Sequence, residues 1–372
     1  MSHDPNLFPP GRLGLARDAA AAAGLDALFV APGADLRYLT GYAAVALERL
    51  TCLVVPVSGE PFLVVPLLER PAAEVSPAGR LGIEIVVWGE TQDPYALIAG
   101  RVGALRRIGV NNQMWAEKAL ALGAALPGSE PALAGPVLSG LRLRKSAAEV
   151  EALRRAGQAI DRVHAAMGEW LRAGRTEREV GRDVAAAILD AGHARTDFVI
   201  VASGPNGASP HAEVSDRVIG PGEPVVVDIG GTTADGYCSD STRNYCVGEP
   251  PASYADYFAV LLDAQRAQTE AVRPGITAEA LDAIGRDAIT VAGYGAEFLH
   301  RTGHGIGLET HEEPYIVSGS DRPLEPGMAF SVEPGIYQAG RHGARIEDIV
   351  VCTESGGERL NLTPRELVVL PG

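Results

Sequence analysis

Four acidic residues stand inside, or at the end of, runs that have the character of buried β-strands. Asp228 closes PVVVD, Glu333 closes AFSVE, Glu347 interrupts ARIEDIVVC, and Asp240 follows Asp228 by twelve positions across a glycine-containing connection. An ionised carboxylate in a low-dielectric interior is costly unless it is paired or bound to a cation, so four in one chain need a shared compensation. No other feature constrains the fold as strongly: these strands must converge, and positive charge must stand where they meet. The stretch from Asp228 to Asp240 reads as a hairpin that brings two carboxylates together. In ARIEDIVVC, strict alternation places Glu347 on one strand face with Ile349 and Val351.

The segment RTGHGIGLETHEEPY, residues 301–315, adds two histidines seven positions apart, His304 and His311. Two divalent cations would balance four carboxylates, and a neutral imidazole from His304 adds a nitrogen donor without altering that sum. Taken singly, an acid beside an apolar strand is usually a strand-end residue reaching solvent, and a histidine between glycines usually sits in a turn. The ordered set is what points to a metal centre.

At 372 residues, two domains are expected, and 46% hydrophobic with 21% charged residues fits a soluble globular chain. The net charge of −15, without a basic cluster, argues against nucleic acid and anionic membranes as partners. Cys52, Cys238, Cys246 and Cys352 show no CxxC spacing, so reduced, buried thiols are expected rather than a disulfide framework. The N-terminal region lacks a basic segment leading into an uninterrupted apolar core, and no 18-residue apolar run occurs, so a cytoplasmic protein is expected.

Residues 1–140 read as a small α/β domain: a helix in RLGLARDAAAAAGLDA, then strands in LFVAP, CLVVPVSG, PFLVVP and EIVVWG. A boundary near Gly140 separates it from residues 141–372, which open on a long amphipathic helix with Ser146 and Glu149 spaced as a capping box. Thr176 and Glu179 repeat that spacing before a second helix, and strands then dominate apart from a helical hairpin around 252–296. The second half is therefore of the α+β class.

In SPHAEVSDR, VVVDIGGTTADGYCSDSTR, TGHGIGLETHEEP, LEPGMAFSVEPGIY and RIEDIVV, the chain resembles the pita-bread metallopeptidases, in their Xaa-Pro dipeptidase (prolidase) and Xaa-Pro aminopeptidase branch. LRYLTGY looks like the creatinase-type first domain of that branch, which argues against methionine aminopeptidase. The resemblance implies an α+β C-terminal pita-bread catalytic domain preceded by a smaller creatinase-like α/β domain. It implies that Asp228 binds one metal, that Asp240 and Glu347 bridge two, and that His304 and Glu333 bind the other. The ions would be Mn²⁺ or Co²⁺, with Zn²⁺ a further option, and a hydroxide held between them would attack the amide. His211 and His311 would act on the substrate or move a proton, and Arg345, read as lying on the strand face of Glu347, would orient that carboxylate. His3, His164, His193, His300 and His342 are read as structural or solvent-exposed.

By the same resemblance the substrate is a small peptide with proline in second place, and the assembly is a homodimer. Tyr315, following HEEP, tilts the reading from aminopeptidase towards dipeptidase, through contact with the carboxylate end of a short substrate. A metal-free creatinase-like hydrolase or a non-catalytic pita-bread binding protein would be expected to have lost metal-binding residues, and all five are present. One departure stands out: the two aspartates lie twelve apart where eleven is usual, so a bulge or a longer hairpin loop must absorb one residue.

Overall fold

Short apolar runs punctuated by proline and glycine build the first of two units, residues 1–142; the second spans 143–372. The computed structural model describes residues 5–372, so His3 lies outside the described residues. Strands β1 (Ala27–Val30), β2 (Cys52–Pro56), β3 (Phe62–Pro66), β4 (Glu84–Trp88), β5 (Arg107–Val110) and β6 (Glu130–Leu133) form one sheet in the order β4-β3-β2-β1-β5-β6. The pairs β1–β2 and β2–β3 are antiparallel and the remaining neighbours parallel. Helices α1 (Gly11–Ala22), α2 (Ala34–Thr40), α3 (Arg70–Val75), α4 (Pro94–Val102), α5 (Ala116–Ala125) and α6 (Gly135–Leu143) complete it. Asp93 starts α4 by accepting from the Tyr95 and Ala96 amides, with Pro94 at the first helical position. β1, β2 and β3 are buried along their whole length. Phe29, Val54, Val64, Ile98, Ile108 and Leu122 form their core.

The second unit opens with helices α7 (Ala147–Ala165) and α8 (Glu177–Asp190), and each starts with the reciprocal capping box that its sequence predicts, Ser146 with Glu149 and Thr176 with Glu179. Strands β7 (His193–Ser203), β8 (Pro224–Thr233), β9 (Cys238–Val247) and, at the far end of the chain, β17 (Val368–Leu370) form a four-stranded sheet. Ile160, Val163, Val180, Val184 and Ile188 of the two helices pack on Val201, Val225, Val227 and Ile229. Each such burial contributes about 1.5–3 kcal/mol.

Helices α9 (Ala252–Ala271) and α10 (Ala278–Val291) fall within the expected helical hairpin. Leu281 of α10 packs with Ile316, Phe330 and Val350 of a five-stranded sheet, order β11-β10-β12-β15-β16. Its strands are β10 (Gly303–Gly305), β11 (Glu312–Ile316), β12 (Ala329–Val332), β15 (Asp348–Thr353) and β16 (Gly356–Arg359). Between β12 and β15 the chain leaves this sheet for a two-stranded ribbon, β13 (Gly335–Gln338) and β14 (His342–Arg345).

The β8–β9 register runs unbroken from Pro224 opposite Cys246 to Thr232 opposite Cys238, so the extra residue is taken up in the connecting loop, 234–237. The register shifts lie on the other side of β8, against β7. All four cysteines are free and buried. Among the described residues, no helix is long and apolar enough to cross a membrane.

Candidate metal centre

In the β8–β9 hairpin Asp228 pairs with Thr242, and Gly230 with Asp240. Side chains two apart on a strand share a face, so both carboxylates project to the same side as diagonal neighbours. Both are buried. His304 comes from β10, squeezed between β11 and β12. A Cβ at Gly303 would strike the Ser331 carbonyl, and one at Gly305 the Glu313 carbonyl. The two glycines around the histidine therefore serve close strand packing, and the GHG segment is a strand rather than a turn.

Glu333 follows the last residue of β12, where the chain leaves the five-stranded sheet for the ribbon. Glu347 lies between β14 and β15, where the chain returns. It is not on a strand face with Ile349 and Val351, as alternation predicts, because β15 begins at Asp348. Arg345 is likewise not beside Glu347 on one strand: it ends β14, in a different sheet. Its guanidinium pairs with Asp228 and donates to Thr242 Oγ1 at 3.1 Å, and Thr242 in turn donates to Glu347 Oε2 at 2.8 Å. Arg345 thus orients Asp228 directly and reaches Glu347 only through Thr242.

One candidate ligand atom each from Asp240, His304 and Glu347 falls within 4.8 Å of the others. His304 Nδ1 donates to the Gly305 carbonyl at 3.1 Å, which turns Nε2 to the acids. Nε2 stands 3.1 Å from Glu333 Oε1 and 3.7 Å from Asp240 Oδ2. Ser331 Oγ donates to Glu333 Oε1 at 2.9 Å. The structure therefore brings all five sequence-predicted residues into one cluster.

Two of these carboxylates share a distinctive pattern. Asp228 is held at Oδ2 by Arg345 and Glu347 at Oε2 by Thr242, while Asp228 Oδ1 and Glu347 Oε1 are buried with no hydrogen-bond partner. An orphaned carboxylate oxygen is expensive, and a divalent cation is the partner that fits it. Burial, then the charges of Glu347, Asp228 and Glu333, pushes the Asp240 carboxyl well above its usual range. Burial, then Glu333 and Asp228, does the same to Glu347. For Glu333 burial opposes ionisation, yet the neighbouring His304 outweighs it and holds that carboxyl down, at about 2. The donor set of carboxylate oxygens and one imidazole suits divalent ions.

The His311 ring centroid lies 4.0 Å from that of His304, at 72°. Burial, then His304 and Arg301, pushes His311 down to about 4, so it is a neutral imidazole across the neutral pH range. His211 is exposed on the loop after the short helix Gly204–Ala208, beside Pro210, whose carbonyl accepts from Arg345 Nη1 at 3.2 Å. His211 lies near both His300 and His311.

His164, His193 and His342 are buried and bonded to Tyr245, Ser239 and Tyr257, a structural role. His300 is also structural: its Nε2 lies 2.9 Å from the Tyr337 hydroxyl, which accepts from Arg345 Nη1 at 2.8 Å, so it ends a chain leading to Asp228. Sequence reading missed this because Tyr337 and Arg345 meet only when the ribbon forms. It also missed a second network. Arg243 Nη1 donates to the carbonyls of Thr242 and Glu347, and its Nη2 to Asp348 Oδ1 at 2.7 Å. Asp348 Oδ2 also accepts from Arg365 at 2.6 Å and Gln265 at 3.1 Å. The available signal was a second acid, Asp348, embedded in the same apolar run as Glu347.

Residues 151–354 match metallopeptidase family M24. The chain belongs to that family. Residues 12–144 of this M24 chain match the creatinase/prolidase N-terminal domain. It is 52% identical over 361 residues to a probable dipeptidase PepE of Mycobacterium tuberculosis, covering 97% of this chain and 96% of the relative. It is 37% identical to an Xaa-Pro dipeptidase of Lactobacillus delbrueckii subsp. lactis, covering 94% and 96%. Among solved structures, the dipeptidase PepE of Mycobacterium ulcerans superposes with a TM-score of 0.94 at 50% identity, covering 100% of both chains. Membership of M24 implies divalent metal ions, and the orphaned oxygens fit that requirement.

Proposed function

We propose that the chain is an Xaa-Pro dipeptidase that hydrolyses the amide bond before proline with two divalent cations held by Asp228, Asp240, His304, Glu333 and Glu347. The observation that carries this reading is the pair of buried carboxylates, Asp228 and Glu347, each with one oxygen fixed by the protein and the other open. The names of the mycobacterial and Lactobacillus relatives support the dipeptidase activity. Asp240 and Glu347 would serve both ions, Asp228 one of them, and His304 with Glu333 the other. Mn²⁺ or Co²⁺ suits this oxygen-rich set.

When bound, the pair of cations activates water and polarises the scissile carbonyl. The protein's own groups do the rest. His311, neutral and against His304, is placed to hydrogen-bond the substrate carbonyl or pass a proton. His211 faces the substrate from its loop, and Arg345 fixes Asp228 and the backbone ahead of His211 together. A proline at the scissile bond gives a tertiary amide with no N–H, which a pocket shaped for the ring accepts. We further place the catalytic domain at 141–372, the creatinase-like domain at 1–140, and the working form as a cytoplasmic homodimer.

The test is to strip metal by chelation, add Mn²⁺, Co²⁺ or Zn²⁺, and offer Ala-Pro, Leu-Pro and a longer Xaa-Pro-Yaa peptide. Cleavage of the dipeptides alone is expected. Cleavage of the longer peptide makes the enzyme an aminopeptidase, and cleavage of none in any metal contradicts the hydrolase reading.

A further inference from the structure

Glu177, the first residue of α8, is a fully buried carboxylate that the chemistry above does not use. Its Oε1 accepts from the Ser203 amide and the Ser203 hydroxyl, both at 2.7 Å, and from Asn206 Nδ2 at 3.1 Å. Its Oε2 accepts from the Ser215 hydroxyl at 2.6 Å, from Asn206 Nδ2 at 2.9 Å and from the Ser215 amide at 3.3 Å. Burying a carboxylate is costly, and donors on both oxygens offset that cost. Asp228 and Glu347 each keep one open oxygen for a cation; Glu177 keeps none, so it holds chain rather than metal.

The chain it holds is the segment 204–214, which carries His211. Ser203 ends β7, and its pairing with Val225 ties that arm of the loop to the strand of Asp228. From there the chain makes the short helix Gly204–Ala208, exposes His211, and returns at Ser215, whose carbonyl accepts from the Arg178 amide at 2.9 Å. At the tip, the Pro210 carbonyl accepts from Arg345 Nη1 and the Ala212 amide donates to the Ser209 carbonyl, both at 3.2 Å. Glu177 joins the outgoing and returning arms through one side chain, Oε1 serving the first and Oε2 the second, with Asn206 reaching both. A loop closed at its base leaves its tip fewer conformations, so this clamp limits where His211 can stand.

We propose that Glu177 is a positioning residue that closes the base of the 204–214 loop and so sets where His211 meets the substrate. This rests on the reading of His211 given above. Glu177→Gln keeps the shape but turns an amide NH2 against the donors of one arm, which releases that arm. On Ala-Pro, kcat/KM should fall about 10-fold in Glu177→Gln and about 100-fold in His211→Ala. The loss should divide between kcat and KM in the same way in both variants, at the metal content of wild type. The double variant should lose about 100-fold rather than about 1,000-fold, because a loop without the imidazole has nothing left to misplace. Ser215→Ala, which frees the returning arm alone, should lose about 3- to 10-fold with the same lack of additivity, and it carries the cycle if Glu177→Gln does not fold. Losses that multiply, a fully active Glu177→Gln, or a metal content that falls with its activity overturns the proposal and leaves the peptidase reading standing. A fully active His211→Ala removes the role of His211 and this inference with it. If wild type does not cleave Ala-Pro in any metal, the peptidase reading itself falls.

Discussion

The acidic cluster has two halves built on different principles. The aspartates come from one hairpin with unbroken register, where period-two alternation alone puts Asp228 and Asp240 on one face. The glutamates come from the two points where the chain leaves and re-enters the five-stranded sheet, so Glu333 and Glu347 are placed by strand ends rather than by strand faces. Local geometry thus sets the first half, and the second depends on tertiary ties that cross between sheets. Arg243 makes that tie, clamping the carbonyls beside Asp228's partner Thr242 and at Glu347 itself.

The largest expected effect comes from substituting one residue of each half. Asp240→Ala should abolish turnover and empty both metal positions, whereas Glu333→Ala should abolish turnover while retaining about one ion per chain. Elemental analysis after dialysis reads the difference. Equal metal content in the two variants breaks the assignment of a bridging role to Asp240.

Cutting the tie comes next. Asp348→Asn leaves Arg243, Arg365 and Arg359 around a buried site with no anion, and should lower stability by about 3–5 kcal/mol in urea unfolding. A loss below about 1 kcal/mol would mean that the two halves hold their places without this knot.

The hairpin half has its own support in His164, which is buried against the Ser241 carbonyl and Tyr245. Burial, then the charge of Arg243, depresses its pKa from 6.5 to about 3. The folded state therefore resists a proton that the unfolded state accepts. Its contribution is complete above pH 6.5 and is lost as pH falls from 6.5 towards 3. In chelated protein the stability of wild type should drop by roughly 3 kcal/mol between pH 6.5 and 4 from this group, and His164→Gln should flatten that slope, as denaturant midpoints across the range will show.

The smallest effect is expected at Thr242→Val, which removes the hydroxyl between Arg345 and Glu347. Metal affinity should weaken about 10- to 100-fold with the fold intact, measured by competition with a chromogenic chelator. No change in affinity would show that Glu347 is placed by its backbone alone.

The difference between the halves also explains what the sequence reveals. The aspartate hairpin, both helix capping boxes and the GHG histidine follow from short-range patterns: alternation, cap spacing and glycine punctuation. The position of Glu347 was legible as an acid in an apolar run, but not its place ahead of β15, because periodicity does not mark where a strand changes sheet. His300 and Asp348 join the site through Tyr337 and Arg243, partners 37 and 105 residues away, contacts that no local pattern encodes.

The most direct measurement is diffraction from Mn²⁺-soaked crystals at a wavelength where manganese scatters anomalously. Two strong peaks should lie among Asp228, Asp240, His304, Glu333 and Glu347, one of them against the open Oδ1 of Asp228. A structure with those five side chains apart, or with manganese bound elsewhere and none among them, contradicts the account.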